Sequence, residues 1–77
     1  MSISIEYCTT CNYRPMAASL ALAIKKETGM GAALEGATRS GAFEVYFEGE
    51  LIFSKLQTNR FPEHRELVEG LKNRLSL

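Results

Sequence analysis

Ser2-Ile3-Ser4-Ile5-Glu6-Tyr7-Cys8-Thr9-Thr10-Cys11 alternates like a strand and then breaks into a C-x-x-C that holds both cysteines of the chain. Ile3 and Ile5 fall on one face and Ser4 and Glu6 on the other, so residues 2–7 read as a first strand. Just after the cysteines, Pro15-Met16-Ala17-Ala18-Ser19-Leu20-Ala21-Leu22-Ala23-Ile24 reads as a helix. A C-x-x-C between a strand and a helix points to thiol–disulfide chemistry, provided the rest of the chain supplies the scaffold.

The helix is predicted to run to about Glu27 or Thr28, with Gly29 as its C′ residue after a last turn carrying Lys25 and Lys26. Pro15 suits a first helical turn, where its missing N–H would be an orphan anyway; a helix starting at Thr9 or Thr10 would instead be kinked there. At 100° per residue Met16, Leu20, Ile24, Ala17 and Ala23 share a face. Leu22 lies opposite, either as a lone exposed leucine or as part of a homodimer contact.

Ala32 to Gly36 reads as a short second strand and 37–41 as a polar turn. Ala42-Phe43-Glu44-Val45-Tyr46-Phe47 and Glu50-Leu51-Ile52-Phe53-Ser54 form a hairpin around Glu48-Gly49. A polar loop over 55–60 leads to Phe61-Pro62-Glu63, where Pro62, Glu63 and Glu66 suit a helix start. Leu67, Leu71 and Leu75, with Val68, give that helix one apolar face.

The order is therefore β-α-β-β-β-α: an α/β, thioredoxin-like two-layer sandwich with a mixed four-stranded sheet and two helices. The first strand–helix–strand makes a right-handed parallel crossover. One domain covers 1–77, and a chain of 77 residues buries only about 60% of its unfolded surface. In this topology the C-x-x-C and the loops 37–41 and 55–62 meet at one end of the sheet. Tyr7, Thr9, Thr10, Arg39, Ser40, Arg60 and Phe61 become candidate walls around Cys8 and Cys11.

Nine basic residues balance nine acidic ones, and no basic stripe accompanies the aromatics, so nucleic acid and anionic membranes are not expected partners. No apolar run approaches the roughly 20 residues that span a bilayer, and residues 1–6 lack the features of a signal peptide. The cytosol is the expected compartment, and there a cysteine pair is catalytic, redox-sensing or metal-binding more often than structural.

In a redox C-x-x-C, Cys8 would lie at or outside the helix cap and attack, while Cys11, one turn in and partly covered, would resolve the mixed disulfide. Helix N-terminal N–H groups, with Arg14 or Arg39, would stabilise the Cys8 thiolate. Two other readings stand beside this one. The cysteines could be an inert buried pair, or a zinc half-site completed across a dimer, since His64 is the only histidine. His64 itself, in the first turn of the last helix, reads either as a half-buried helix-end histidine or as a proton carrier near the cysteines.

Blocks along the whole chain also resemble the selenoprotein W-like family of the selenoprotein T/W/H redox group. They are the strand ending in C-x-x-C, Ser40-Gly41-Ala42-Phe43-Glu44-Val45, Gly49-Glu50-Leu51-Ile52-Phe53-Ser54-Lys55 and Arg60-Phe61-Pro62-Glu63. The resemblance implies a thioredoxin-like fold whose motif is C-x-x-U in selenium-containing members, with Cys11 at the selenocysteine position. A thiol has a higher pKa than a selenol, so Cys11 would be mostly protonated at neutral pH. The family favours the second position as the nucleophile, whereas the comparison with thioredoxin favours Cys8. No proline precedes Ala42, where thioredoxins place a cis-proline, so their substrate clamp is not carried over.

The resemblance further implies glutathione- or thioredoxin-linked work in cell redox homeostasis, with no bound cofactor, glutathione or redox proteins as partners, and unidentified client proteins. The chain would act as a monomer or weak homodimer. The alternative is a non-enzymatic adaptor that binds partners according to its disulfide state.

Overall fold

β1 (Ile3–Cys8) runs through the interior of the sheet, with Ile3, Ile5 and Tyr7 turned to the core and Ser4 and Glu6 half-buried on the other face. The computed structural model describes residues 2–76; Met1 and Leu77, the outer bounds of the domain predicted over 1–77, lie outside them. The strand has the predicted length but is shifted by one residue, starting at Ile3 and ending at Cys8.

α1 (Arg14–Thr28) places Pro15 in its first turn, so the helix starts after the cysteines and is not kinked by it. Gly29 caps the far end, its N–H bonded to the Lys25 carbonyl. Ala17, Leu20 and Ile24 form the buried stripe, while Leu22 is exposed. Met16 departs from the predicted face: it is 41% exposed.

β2 (Ala32–Ala37) pairs parallel to β1 with Ile3 opposite Ala32, as the crossover requires. β3 (Phe43–Phe47) and β4 (Glu50–Ser54) form the hairpin; β3 pairs antiparallel to β1, with Tyr7 opposite Phe43. The strand order is β2-β1-β3-β4, a mixed four-stranded sheet. β1 therefore has a neighbour on both sides, and the loops after β2 and before β3 emerge beside its C-terminal end.

The predicted order holds with one addition. Residues read as the start of a polar loop form a single helical turn, α2 (Lys55–Thr58), nucleated by Ser54, whose hydroxyl accepts from the Gln57 N–H. Glu44, 3% exposed on β3, holds this turn from below: the Ser54 hydroxyl donates to it at 2.6 Å and the Leu56 N–H at 3.5 Å. α3 (His64–Leu75) then starts with a capping box between Glu63 and Glu66 and buries Leu67, Val68 and Leu71. These side chains, with Leu20 and Ile24 of α1, cover Ile5, Val45, Phe43 and Phe47 in one continuous core. An ion pair between Lys72 and Glu27 at 3.2 Å links the two long helices.

Candidate functional site

Cys8 and Cys11 form a disulfide, with Cα atoms 5.3 Å apart. Their surroundings reverse the burial predicted from the motif. Cys8 is the last residue of a central strand and is 1% exposed, whereas Cys11 sits in the following turn and is half-buried. The cause lies between the motif and the helix. Asn12 takes a left-handed conformation at φ 60° and Tyr13 is the N-cap, so the first helical turn begins three residues after Cys11. Neither sulfur belongs to the helix cap.

The loop is fastened on both sides. The Cys8 N–H donates to the Ala42 carbonyl at 2.8 Å, and both the N–H and the hydroxyl of Thr9 donate to the Ala37 carbonyl at 3.5 Å. The Thr9 methyl lies over Gly36, where a Cβ would stand 2.7 Å from it, so a larger residue there would have to push the Thr9 side chain aside. The predicted meeting of the 37–41 loop with the cysteines is realised through its last residue: the Gly41 N–H points at Cys11 Sγ at 3.3 Å. Gly41 has φ +79°, which a proline ring cannot adopt, and a proline would also lack this N–H. The missing cis-proline is thus replaced by a backbone donor, a contribution with no side chain to betray it.

The predicted thiolate partners are engaged elsewhere. Arg14 donates to the Tyr7 hydroxyl at 2.9 Å, and Arg39 forms an ion pair with Glu6 that raises its pKa through that hydrogen bond. Gly41 N–H on Cys11 and the Thr10 hydroxyl, 3.4 Å from Cys8 Sγ, are the polar contacts the sulfurs do make.

The remaining candidates separate into two groups. Thr9 and Thr10 belong to the cysteine loop, exposed Ser40 adjoins Gly41, and Phe61 packs on Tyr13, two residues beyond Cys11. Phe61 packs edge-on against Tyr13 at 4.8 Å and Phe43 at 5.3 Å, and Lys55 Nζ lies 5.5 Å from the Tyr13 ring. Tyr7 is a core residue under the site. Arg60 turns to α3, with its guanidinium bonded to Glu66 at 2.9 Å and lying over the Phe53 ring. His64 is exposed, not half-buried; it lines a hollow of about 20 Å³ with Met16, Leu20, Phe43, Phe61 and Pro62. Among the described residues no three or more His, Cys, Asp or Glu side chains cluster in a way that could hold a metal.

Two larger grooves, of about 400 and 460 Å³, lie along β4 and between α1 and α3, and neither is lined by a cysteine.

Comparison with known proteins agrees with this picture. A crystal structure of a selenoprotein W-related protein from Vibrio cholerae superposes with TM-score 0.86 at 28% identity, covering 94% of this chain and 92% of that one. A crystal structure of a Bordetella parapertussis protein gives TM-score 0.88 at 26% identity, with 95% of both chains covered. Among curated proteins, Migration and invasion enhancer 1 of Mus musculus is 37% identical over 71 residues, 91% of this chain. The chain spans 61% of that relative's length. The predicted likeness to selenoprotein W-like proteins holds, and with the Rdx family model matching residues 2–73, the chain belongs to the Rdx family.

Proposed function

We propose that the protein is a thiol–disulfide redox protein that cycles Cys8 and Cys11 between dithiol and disulfide in glutathione- or thioredoxin-linked chemistry of the cytosol. The observation that carries this reading is the asymmetry of the pair. Cys11 is half-buried in the turn, its sulfur touched by a backbone N–H; Cys8 is buried at the end of the strand. An incoming thiolate reaches Cys11, and the buried Cys8 is the resolving partner. The family and the C-x-x-C disulfide support the redox role, and glutathione and thioredoxin are the thiol partners assigned to it in this proposal.

Alkylation rates of Cys8→Ser and Cys11→Ser variants across pH test the proposal. Cys11 in the Cys8→Ser variant should react faster than a free cysteine below pH about 8, because its N–H partner favours the thiolate. If neither remaining thiol outpaces free cysteine there, catalysis by this pair is ruled out.

A second reading, a redox-sensing adaptor, draws on Met16 and Leu56, which are 41% and 45% exposed. Leu56 lies beside Gly41, whose N–H touches Cys11 Sγ, and Met16 lines a small hollow with Phe61. Such a protein would form the disulfide yet show no turnover with glutathione or a thioredoxin system, and only its oxidised or only its reduced form would retain a partner.

A further inference from the structure

Thr10 is exposed, yet its Oγ1 lies 3.4 Å from the buried Cys8 Sγ. A disulfide sulfur carries no hydrogen, so in this contact the hydroxyl donates. We infer that Thr10 is a catalytic residue of the disulfide exchange, holding the negative charge that develops on Cys8 when the disulfide opens. The inference rests on the redox reading of the pair.

The step balances as follows. A thiolate, for instance that of glutathione, attacks Cys11 Sγ and forms a new S–S bond to it. The Cys8–Cys11 bond breaks, and its electron pair stays on Cys8 Sγ as a thiolate. A second thiolate then attacks the incoming sulfur of the mixed disulfide. Cys11 leaves as a thiolate, and the two incoming thiols depart as their own disulfide. The protein gains two electrons and the two external thiols lose them.

The leaving thiolate forms where water does not reach, since Cys8 is 1% exposed, so protein donors must meet the charge. Most nearby donors are committed. The Cys8 N–H goes to Ala42, the Thr9 N–H to Ala37 and the Gly41 N–H to Cys11 Sγ. Arg14 is bonded to Tyr7 and Arg39 to Glu6. Among the described residues the Thr10 hydroxyl is the side-chain donor on Cys8 Sγ. Exchange speeds up as the leaving thiol's pKa falls, so this bond acts directly on the rate. In the reverse direction the same bond keeps Cys8 ionised, ready to attack a mixed disulfide on Cys11.

The test compares wild type, Thr10→Val and Thr10→Ser. Opening by excess glutathione is followed by acid quench, alkylation and mass counting of free thiols between pH 6 and 9. Thr10→Val should open about tenfold more slowly, the scale of one hydrogen bond to a charged group, with the alkylation pH profile of reduced Cys8 moved to higher pH. Thr10→Ser should recover most of the rate. Unchanged melting of the oxidised variants would show that the loop is intact. A Thr10→Val rate within about twofold of wild type, or a Thr10→Ser rate as slow as Thr10→Val, overturns the role of Thr10 and leaves the redox reading standing. If the wild-type disulfide opens no faster than that of oxidised glutathione, the redox reading itself falls, and the role of Thr10 falls with it.

Discussion

Cys8 and Cys11 share one covalent bond and stand in opposite environments. Cys8 belongs to the sheet: it ends a strand paired on both sides, its N–H is bonded to Ala42, and water is excluded from it. Cys11 belongs to the loop: it lies half-buried in a turn and is touched by the Gly41 N–H from across the site. The buried half of the motif is thus the first cysteine and the more exposed half the second, the reverse of a motif seated on a helix cap. The difference in burial follows from where the helix starts, three residues after Cys11.

The largest effect that could break this comparison is on stability under reducing conditions. Cys8→Ser places a hydroxyl in a buried strand end and should cost about 1–3 kcal/mol, whereas Cys11→Ser in the half-buried turn should change stability by less than about 0.5 kcal/mol. Urea unfolding of both variants with reductant present measures the gap. Equal losses would mean that the two sites are not differently packed.

Gly36→Ala sharpens the account of how the loop is fastened. The new Cβ would press on the Thr9 methyl, and turning that side chain away gives up its bond to Ala37. A loss of about 1 kcal/mol is expected, and adding Thr9→Ser, which removes the methyl and keeps the hydroxyl, should restore most of it. Thermal unfolding of the four members of the cycle checks this, and simple additivity would show that the contact carries no energy.

Much of this was legible in the sequence, and the failures have common causes. β1, the hairpin and both long helices announce themselves because their periodicity extends over several repeats. α2 does not, because Lys55 to Thr58 is a single turn made by the Ser54 cap and the buried Glu44. The order of burial in the motif was misread because the delay at Asn12 and Tyr13 is a backbone event. Gly41 was missed as a site residue because its contribution is an N–H that nearly every residue possesses. Arg39 and Arg60 were placed by loop position alone, and each found a carboxylate instead, Glu6 and Glu66.

The smallest expected effect concerns that last pair. Hydrogen bonds from Arg60 hold the Glu66 carboxyl below its ordinary value of 4.5. Its folded pKa is depressed, so the stabilisation is present above that ordinary value and is lost as pH falls through the lowered one. Arg60→Ala should therefore lower stability slightly at neutral pH, with the difference from wild type vanishing in acid, because exposed ion pairs contribute little. The rate of disulfide opening should not move. A slower opening in Arg60→Ala would return Arg60 to the site wall.

The most direct test of the central claim is a redox titration of the full chain in glutathione and thioredoxin buffers, with the fraction of alkylated Cys8 and Cys11 counted by mass. The account predicts one reversible two-electron transition between about −300 and −180 mV, the span from structural disulfides to protein disulfide isomerase with thioredoxin near −270 mV. A pair that stays oxidised below about −320 mV, or stays reduced throughout, would contradict it.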